Sequence, residues 1–187
     1  DARGKLEAIE DDIDKLHGAI KIYLARLGRE ELDEDDTQRA SEIMSYAVNL
    51  EHIGDIIDSG LSDLAAKKAK RRLRFSPEGM AEITAFYNRT LDILQVAQSV
   101  FLSRDPELAR ELVGCKSEIR RLETESSERH LERLRERRTE TIETSGLHLD
   151  ILRDLKRVNA HLISVAYPIL DDMGVLSETR LRPAPEE

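Results

Sequence analysis

The sequence predicts an all-α fold, an antiparallel up-and-down bundle of long helices. Three observations carry this expectation. Apolar residues recur at steps of three and four over most of the chain. Two helix-start signals, each a capping side chain followed by Pro and an acid, stand where that spacing restarts. The composition is also poor in what strands and tight turns need: aromatic residues are 4% of the 187, with no Trp, 9 Gly and 5 Pro. Apolar residues still make up 40% of the chain and charged ones 36%, enough for a packed core with a solvated exterior.

The first helix is read from Leu6, Ile9, Ile13, Leu16, Ile20, Tyr23 and Leu27, a regular amphipathic stripe that stops at Gly28. An acidic link (29–36) follows. The second helix is expected to start near Asp36 or Thr37 as N-cap, with a stripe of Ala40, Ile43, Ala47, Leu50, Gly54, Ile57, Leu61 and Leu64. It runs out in a basic stretch, 67–74, where six of eight residues are Lys or Arg. Ser76-Pro77-Glu78 opens the third helix, which reaches about Ser103. Asp105-Pro106-Glu107 repeats the signal for a fourth helix, whose apolar positions run from Leu108 to Leu134 beneath a face laced with both charges. A polar link (about 139–145) is expected before a fifth helix, striped by Leu147, Ile151, Leu155, Val158, Leu162, Val165 and Ile169. Pro168 should kink or end that helix and Gly174 should close it. Short links make neighbours in sequence antiparallel in space. The tail, 175–187, reads as disordered.

Composition narrows the function. Cys115 is the single cysteine, so no intrachain disulfide or Cys-based zinc finger exists. A net charge of -9, from 29 basic and 38 acidic residues, is the wrong sign for a nucleic-acid partner. No apolar run approaches the roughly 20 residues that cross a bilayer, and the N-terminus is no signal peptide. Asp1 falls inside a helical pattern with no cap before it, which predicts a chain that continues upstream. No Gly-rich phosphate loop, nucleophile elbow or Cys–His pairing points to catalysis, and no enzyme activity is expected.

Several clusters remain. Glu51, Asp55 and Asp58 stand at i, i+4 and i+7 beside the stripe of the second helix, where like charges repel unless a cation lies between them. Gly54 interrupts that helix at a cost of about 1 kcal/mol against Ala, which suggests close approach of a neighbour. Glu7, Glu10, Asp14 and His17 form a similar edge on the first helix. Together the two edges read either as solvated acidic faces or as an oxygen-rich metal site for Mg, Mn, Fe or Ca. Asp14-x-x-His17 is too isolated for a di-iron bundle, which needs the step on two helices. Asp150, Asp154, Arg157 and His161 share a face of the fifth helix, with an internal Asp154–Arg157 salt bridge as the simplest reading. His52, His130 and His148 stand alone and suggest no role. The run at 67–74 complements a helix dipole or meets an anionic surface such as lipid headgroups or an acidic partner.

The segment Asn49-Leu50-Glu51-His52-Ile53-Gly54-Asp55 resembles the signature of the PhoU family of phosphate-signalling helical proteins. That signature is an acid, three residues, then Asp, commonly within Leu-Glu-Arg-Ile-Gly-Asp; here His52 stands in place of Arg. The second copy of the motif falls on Leu155-Lys156-Arg157-Val158-Asn159-Ala160-His161, where Lys156 and Ala160 replace the two acids. The stretches AIEDDIDKLHGAIKIYLARL and LHLDILRDLKRVNAHLISVAYPIL resemble the branch of PhoU-like domains fused to the C-terminus of bacterial sodium/phosphate cotransporters. The resemblance implies two three-helix halves: residues 1–75 as a first half lacking its N-terminal helix, and 76–174 as a complete second half. It implies a regulatory domain on the cytoplasmic side of the plasma membrane, tethered to a transporter domain upstream of Asp1. It also implies Fe, Zn, Mn or Mg at the acidic motif, with Glu51 and Asp55 as motif ligands; Asp58, Asp14 and Glu10 are added on helical geometry. Inorganic phosphate, a signalling protein and a second copy of the chain are the further expected partners. The alternatives are a metal-free helical interaction scaffold and a free-standing phosphate-signalling adaptor.

Overall fold

The computed structural model of the chain describes residues 2–172 and 174, and every regular element among them is helical. Helix α1 spans Ala2–Leu27 and α2 spans Glu34–Asp55. A π-helical segment, Ile56–Ser62, continues α2 without a break into α3, Asp63–Lys70. Then follow α4 (Pro77–Ser103), α5 (Pro106–Arg135), α6 (Thr139–Ile163) and the short α7 (Ala166–Asp172). The expected tail, 175–187, lies outside the described residues.

Local chemistry explains the boundaries. Ser76 Oγ accepts a hydrogen bond from Gly79 N at 3.1 Å and Pro77 occupies the first turn of α4, as the sequence indicates. Asp105 Oδ1 accepts from Glu107 N and Leu108 N at 2.8 and 3.0 Å to open α5. Helix α2 starts earlier than expected. Its cap is Asp33, whose Oδ1 accepts from Asp36 N at 2.8 Å, so the acids of the supposed link form a first turn that suits the helix dipole. The supposed polar link at 139–145 is instead the opening of α6. Its Thr141 and Thr144 are buried, and a burial pattern built on polar residues is invisible to apolar periodicity. The fifth stripe breaks at Ser164-Val165. Pro168 sits in the next turn, where its ring excludes the carbonyl of Ser164 and it has no N–H to donate. Gly174 closes the element with φ of +65°.

Helices α4, α5 and α6 form a three-helix unit whose core holds Phe86, Ile93, Ala97, Val100, Leu112, Leu152 and Leu162, all at or below 2% exposure. Helix α6 is the common wall: it packs on α4 and α5 and also receives α2, the π segment and α3. Helix α1 lies outermost, mainly against α2 and the π segment. Only one edge of its apolar stripe is covered; Ile9, Leu16 and Tyr23 are 57%, 64% and 65% exposed. The far end of α2 is tied to the second unit by a buried carboxylate. Glu42 accepts from Arg39 at 2.9 Å and from Arg104 at 2.7 Å, beside Tyr46 stacked on Phe101.

A second buried polar group closes the other end of the three-helix unit. Glu82 on α4 takes two hydrogen bonds from Arg133 at 2.8 Å and one from Arg129 at 2.9 Å, both on α5. His148 on α6 stacks on His130 with centroids 4.9 Å apart, and His130 bonds Ser145 Oγ at 2.8 Å. These two histidines, expected to be isolated, are among the most buried side chains of the protein. His148 Nε2 lies 3.1 Å from Glu82 Oε2 without hydrogen-bond geometry. Burial, with His130 and Arg133 beside it, pushes its pKa down to about 4, against the pull of Glu82. Burial pushes Glu82 up, but the hydrogen bonds from Arg133 and Arg129 outweigh it and its carboxyl titrates below the usual range. The unfolded chain therefore takes up a proton at position 148 from pH 6.5 downward that the folded chain refuses until about 4. Stability should fall across that window by up to ~3 kcal/mol, ahead of the loss from Glu82 at lower pH. Urea unfolding at pH 7.5, 6 and 5 checks this, and His148→Gln should flatten the slope.

Candidate functional site

The junction of the two units is built where α2 gives way to the π segment. A π-helix bonds i to i+5, so past Asp55 the side chains leave the register of an α-helix, and such turns concentrate at functional sites. Glu51 and Asp55 both precede the π segment and keep their i, i+4 spacing, so of the expected face of Glu51, Asp55 and Asp58 only Asp58 leaves the register. Glu51 lies 3.6 Å from His52 Nε2. Asp55 and Asp58 lie near enough to α1 to act, with Asp14 and Asp11, on Glu10. The Glu10 carboxyl is held above the usual range, by burial first and then by Asp14, Asp58, Asp55 and Asp11. The structure thus brings Glu10, Asp14, Asp55 and Asp58 into one acidic seam and leaves Glu51 at its margin. Among the described residues no three His, Cys, Asp or Glu side chains converge closely enough to hold a metal ion as they stand. The donor set, all carboxylate oxygens, is nonetheless the chemistry of a hard divalent cation.

Behind the seam, between the π segment and α6, opens a cleft of about 710 Å³. His52, Asp55, Gly60, Asp154, Arg157 and His161 are among its walls. Asp154 is 3% exposed, with Oδ1 3.4 Å from Arg153 Nε and 3.3 Å from Arg157 Nη1. The expected Asp154–Arg157 pair is present, but the carboxylate's position is set by a glycine. A Cβ at Gly60 would lie 2.9 Å from Asp154 Oδ2, closer than atoms pack. Gly54 is different from expectation. A Cβ there would meet Ile13 at 3.7 Å, ordinary van der Waals contact, so no close approach of α1 requires it. Across the cleft, His161 and His52 meet edge to face at 5.1 Å. Asn49 Nδ2 donates to Ser45 O at 2.8 Å, which turns Asn49 Oδ1 toward His161 Nδ1, also at 2.8 Å. Nδ1 therefore carries the hydrogen, and His161 Nε2 keeps its lone pair. Burial, then His52 and Arg157, lowers the His161 pKa, so the ring is neutral at pH 7.

Sequence reasoning found the acids and the α6 constellation but missed Gly60, His52 and their meeting with α6. The second motif behaves as its substitutions imply. Lys156 bonds Glu123 Oε2 at 2.5 Å instead of contributing an acid, and Ala160 is exposed. Asn159, at the place Gly54 holds in the first motif, is wholly buried and donates through Nδ2 to Thr90 Oγ1 and Leu155 O, each at 2.8 Å.

Residues 83–169 match the PhoU domain. The chain is 42% identical over 166 residues to the putative inorganic phosphate export protein YjbB of Salmonella typhimurium, and 41% identical over 167 residues to that of Escherichia coli K12. Each match covers 89% of this chain and 31% of the relative, so the chain spans less than a third of those proteins. Among solved structures, PhoU from Pseudomonas aeruginosa superposes with a TM-score of 0.80 at 20% identity, covering 90% of this chain and 79% of that one.

The two glycines give a paired test of the junction. Gly54→Ala should leave the melting temperature unchanged or raise stability by up to ~1 kcal/mol through helix propensity. Gly60→Ala should cost about 1–3 kcal/mol, because the new methyl displaces a buried carboxylate. Thermal unfolding of both variants followed by circular dichroism checks the ordering.

Proposed function

We propose that the chain is a PhoU-like domain that regulates a phosphate transporter of the same polypeptide, from the cytoplasmic side of the membrane. The observation that supports this best is the 42% identity to relatives named for phosphate export, combined with the small share of their length that it spans. No helix among the described residues is long and apolar enough to cross a membrane, so in this reading the transporting part lies in sequence outside this chain. The sodium/phosphate cotransporter branch is the specific assignment we favour, on the segments that resemble it. The role is regulatory and not catalytic.

The acidic seam supplies the switch in this proposal. Glu10 and Asp14 from α1 and Asp55 and Asp58 from α2 and the π segment offer carboxylate oxygens to a divalent cation such as Mg or Mn, with Glu51 at the margin. A bound cation would offset the repulsion among these acids, which adds to burial in raising the Glu10 carboxyl, and so favour a closer α1–α2 packing. A metal-free scaffold is the second reading, favoured by the uncovered edge of α1 at Ile9, Leu16 and Tyr23, which suits a docking partner or a second copy.

Elemental mass spectrometry separates the two. The regulatory-ion reading expects about one divalent ion per chain after desalting, lost in Asp55→Asn plus Asp58→Asn, and altered phosphate flux when the full-length transporter carries that pair. No metal in wild type, with normal flux in the pair, leaves the scaffold.

A further inference from the structure

One end of the bundle holds a charge that the fold does not use. The run at 67–74 carries six cations and no acid: Lys67, Lys68, Lys70, Arg71, Arg72 and Arg74. All but Lys68 are exposed, and none of the six forms an ion pair among the described residues. Closing the end of α3 does not require them. The chain closes it with its own amides, Leu73 N donating to Lys68 O and Arg72 N to Ala69 O, each at 3.1 Å. A helix dipole amounts to about half a charge and fades within the last turn, so six cations exceed what it can balance.

The end of α5 is closed by the same kind of turn. Arg72, after α3, and Arg137, after α5, have φ of +54° and +55°, where a Gly is usual. Arg104, with φ of +53° at the other end of α4, has partners for its side chain in Glu42 at 2.7 Å and Asp172 at 3.1 Å. Arg72 and Arg137 have no ion pair among the described residues. Glu78, Glu136 and Glu140, at this end, all act on Arg138. Lys68 lies over the Phe75 ring at 5.5 Å, and Phe75 meets His148 at 6.3 Å, which pins the basic link onto α6. Met80, Leu131 and Ile142 are 47%, 52% and 53% exposed, each about one turn from the start of α4, the end of α5 and the start of α6.

Exposed cations beside scattered exposed apolar side chains are the composition of a surface that rests on lipid headgroups. Helix α1 begins near the same end, since Arg3 Nη2 lies 3.2 Å from Asp63 Oδ1 at the start of α3. A transporter joined upstream of α1 therefore brings its bilayer to the basic end. The net charge of -9 repels the rest of the domain from an anionic bilayer, so attraction confined to one end also orients it.

We propose that this end of the bundle, the 67–74 run together with Arg137, docks on an anionic phospholipid surface. The proposal deepens the regulatory reading by giving the domain a second hold on the membrane, and it rests on that reading for the direction from which the bilayer approaches.

Flotation of the chain with phosphatidylcholine vesicles, with and without about one-third phosphatidylglycerol, tests it. Binding is expected to the anionic vesicles only, and should fall steeply between about 0.05 and 0.5 M salt. Lys70→Gln, Arg71→Gln and Arg74→Gln together should weaken it about a hundredfold with the helical circular dichroism unchanged. Lys21→Gln, Arg26→Gln and Arg29→Gln make the same change of net charge at and beyond the far end of α1, and should leave binding within about twofold of wild type. No binding to anionic vesicles at low salt, equal binding to pure phosphatidylcholine, or equal loss in the two triple variants overturns the surface. So does retention on polyglutamate without vesicle binding, which assigns the run to an acidic protein. Vesicle binding needs no transporter, so these outcomes bear on the surface alone. Unchanged flux in the full-length protein carrying Asp55→Asn plus Asp58→Asn sinks the regulatory reading and leaves the vesicle result as measured.

Discussion

The junction of the two helical units depends on one contact, a buried aspartate carboxylate set against a helix backbone that has no side chain. Asp154 leaves water almost completely, yet its two arginine contacts are long. A carboxylate so placed is held by the space available to it as much as by its partners. That space exists only because position 60 is Gly and because the backbone there follows the wider π-helical path. The same path carries Asp58 out of the α-helical line of Glu51 and Asp55. One local departure from α-helical geometry therefore sets the seat of Asp154, the back wall of the cleft and the place of Asp58 in the acidic seam. Helix α6 is the element on which these meet, since it is also the shared wall of the three-helix unit.

The polar groups inside the bundle divide into two kinds. Glu82 and Glu42 are each answered by two arginines and act as buried clasps between helices. Burying such groups is costly unless they are paired and hydrogen-bonded, so their worth is better seen as fixing helix register than as adding stability. The acids of the seam, Glu10, Asp14, Asp55 and Asp58, are the second kind, without opposite charge in place among the described residues. It is these unbalanced groups that have capacity left for ligands.

Much of the fold was legible because helices α4 and α5 announce themselves by Ser76-Pro77-Glu78 and Asp105-Pro106-Glu107, and because the stripes of α1, α2 and α6 are long. What escaped were features with no periodic signal. The start of α6 is carried by Thr141 and Thr144, buried through a polar cluster, so it read as a link. The links after α3, α4 and α5 turn through Arg72, Arg104 and Arg137 with φ of +54°, +53° and +55°, where a Gly is the usual signal. The π segment has no sequence signature, and without it Asp58 could not be separated from Glu51. Of the two glycines in that helix, the one on the apolar stripe drew attention, while Gly60, off the stripe, is the one that packing requires. His130 and His148 are 18 residues apart and meet only because α5 and α6 run antiparallel.

Helix α1 holds two kinds of group on one rigid body. Its 26 residues make a rod about 39 Å long, with Glu10 and Asp14 on one edge and Ile9, Leu16 and Tyr23 on another. A rod cannot shift one edge without swinging the other. Any rearrangement that draws the acidic edge toward Asp55 and Asp58 must rotate the apolar edge about the same axis and present it to its surroundings at a new angle. The outermost helix is in that sense a lever arm, with its fulcrum on α2 and its load wherever Leu16 and Tyr23 find cover.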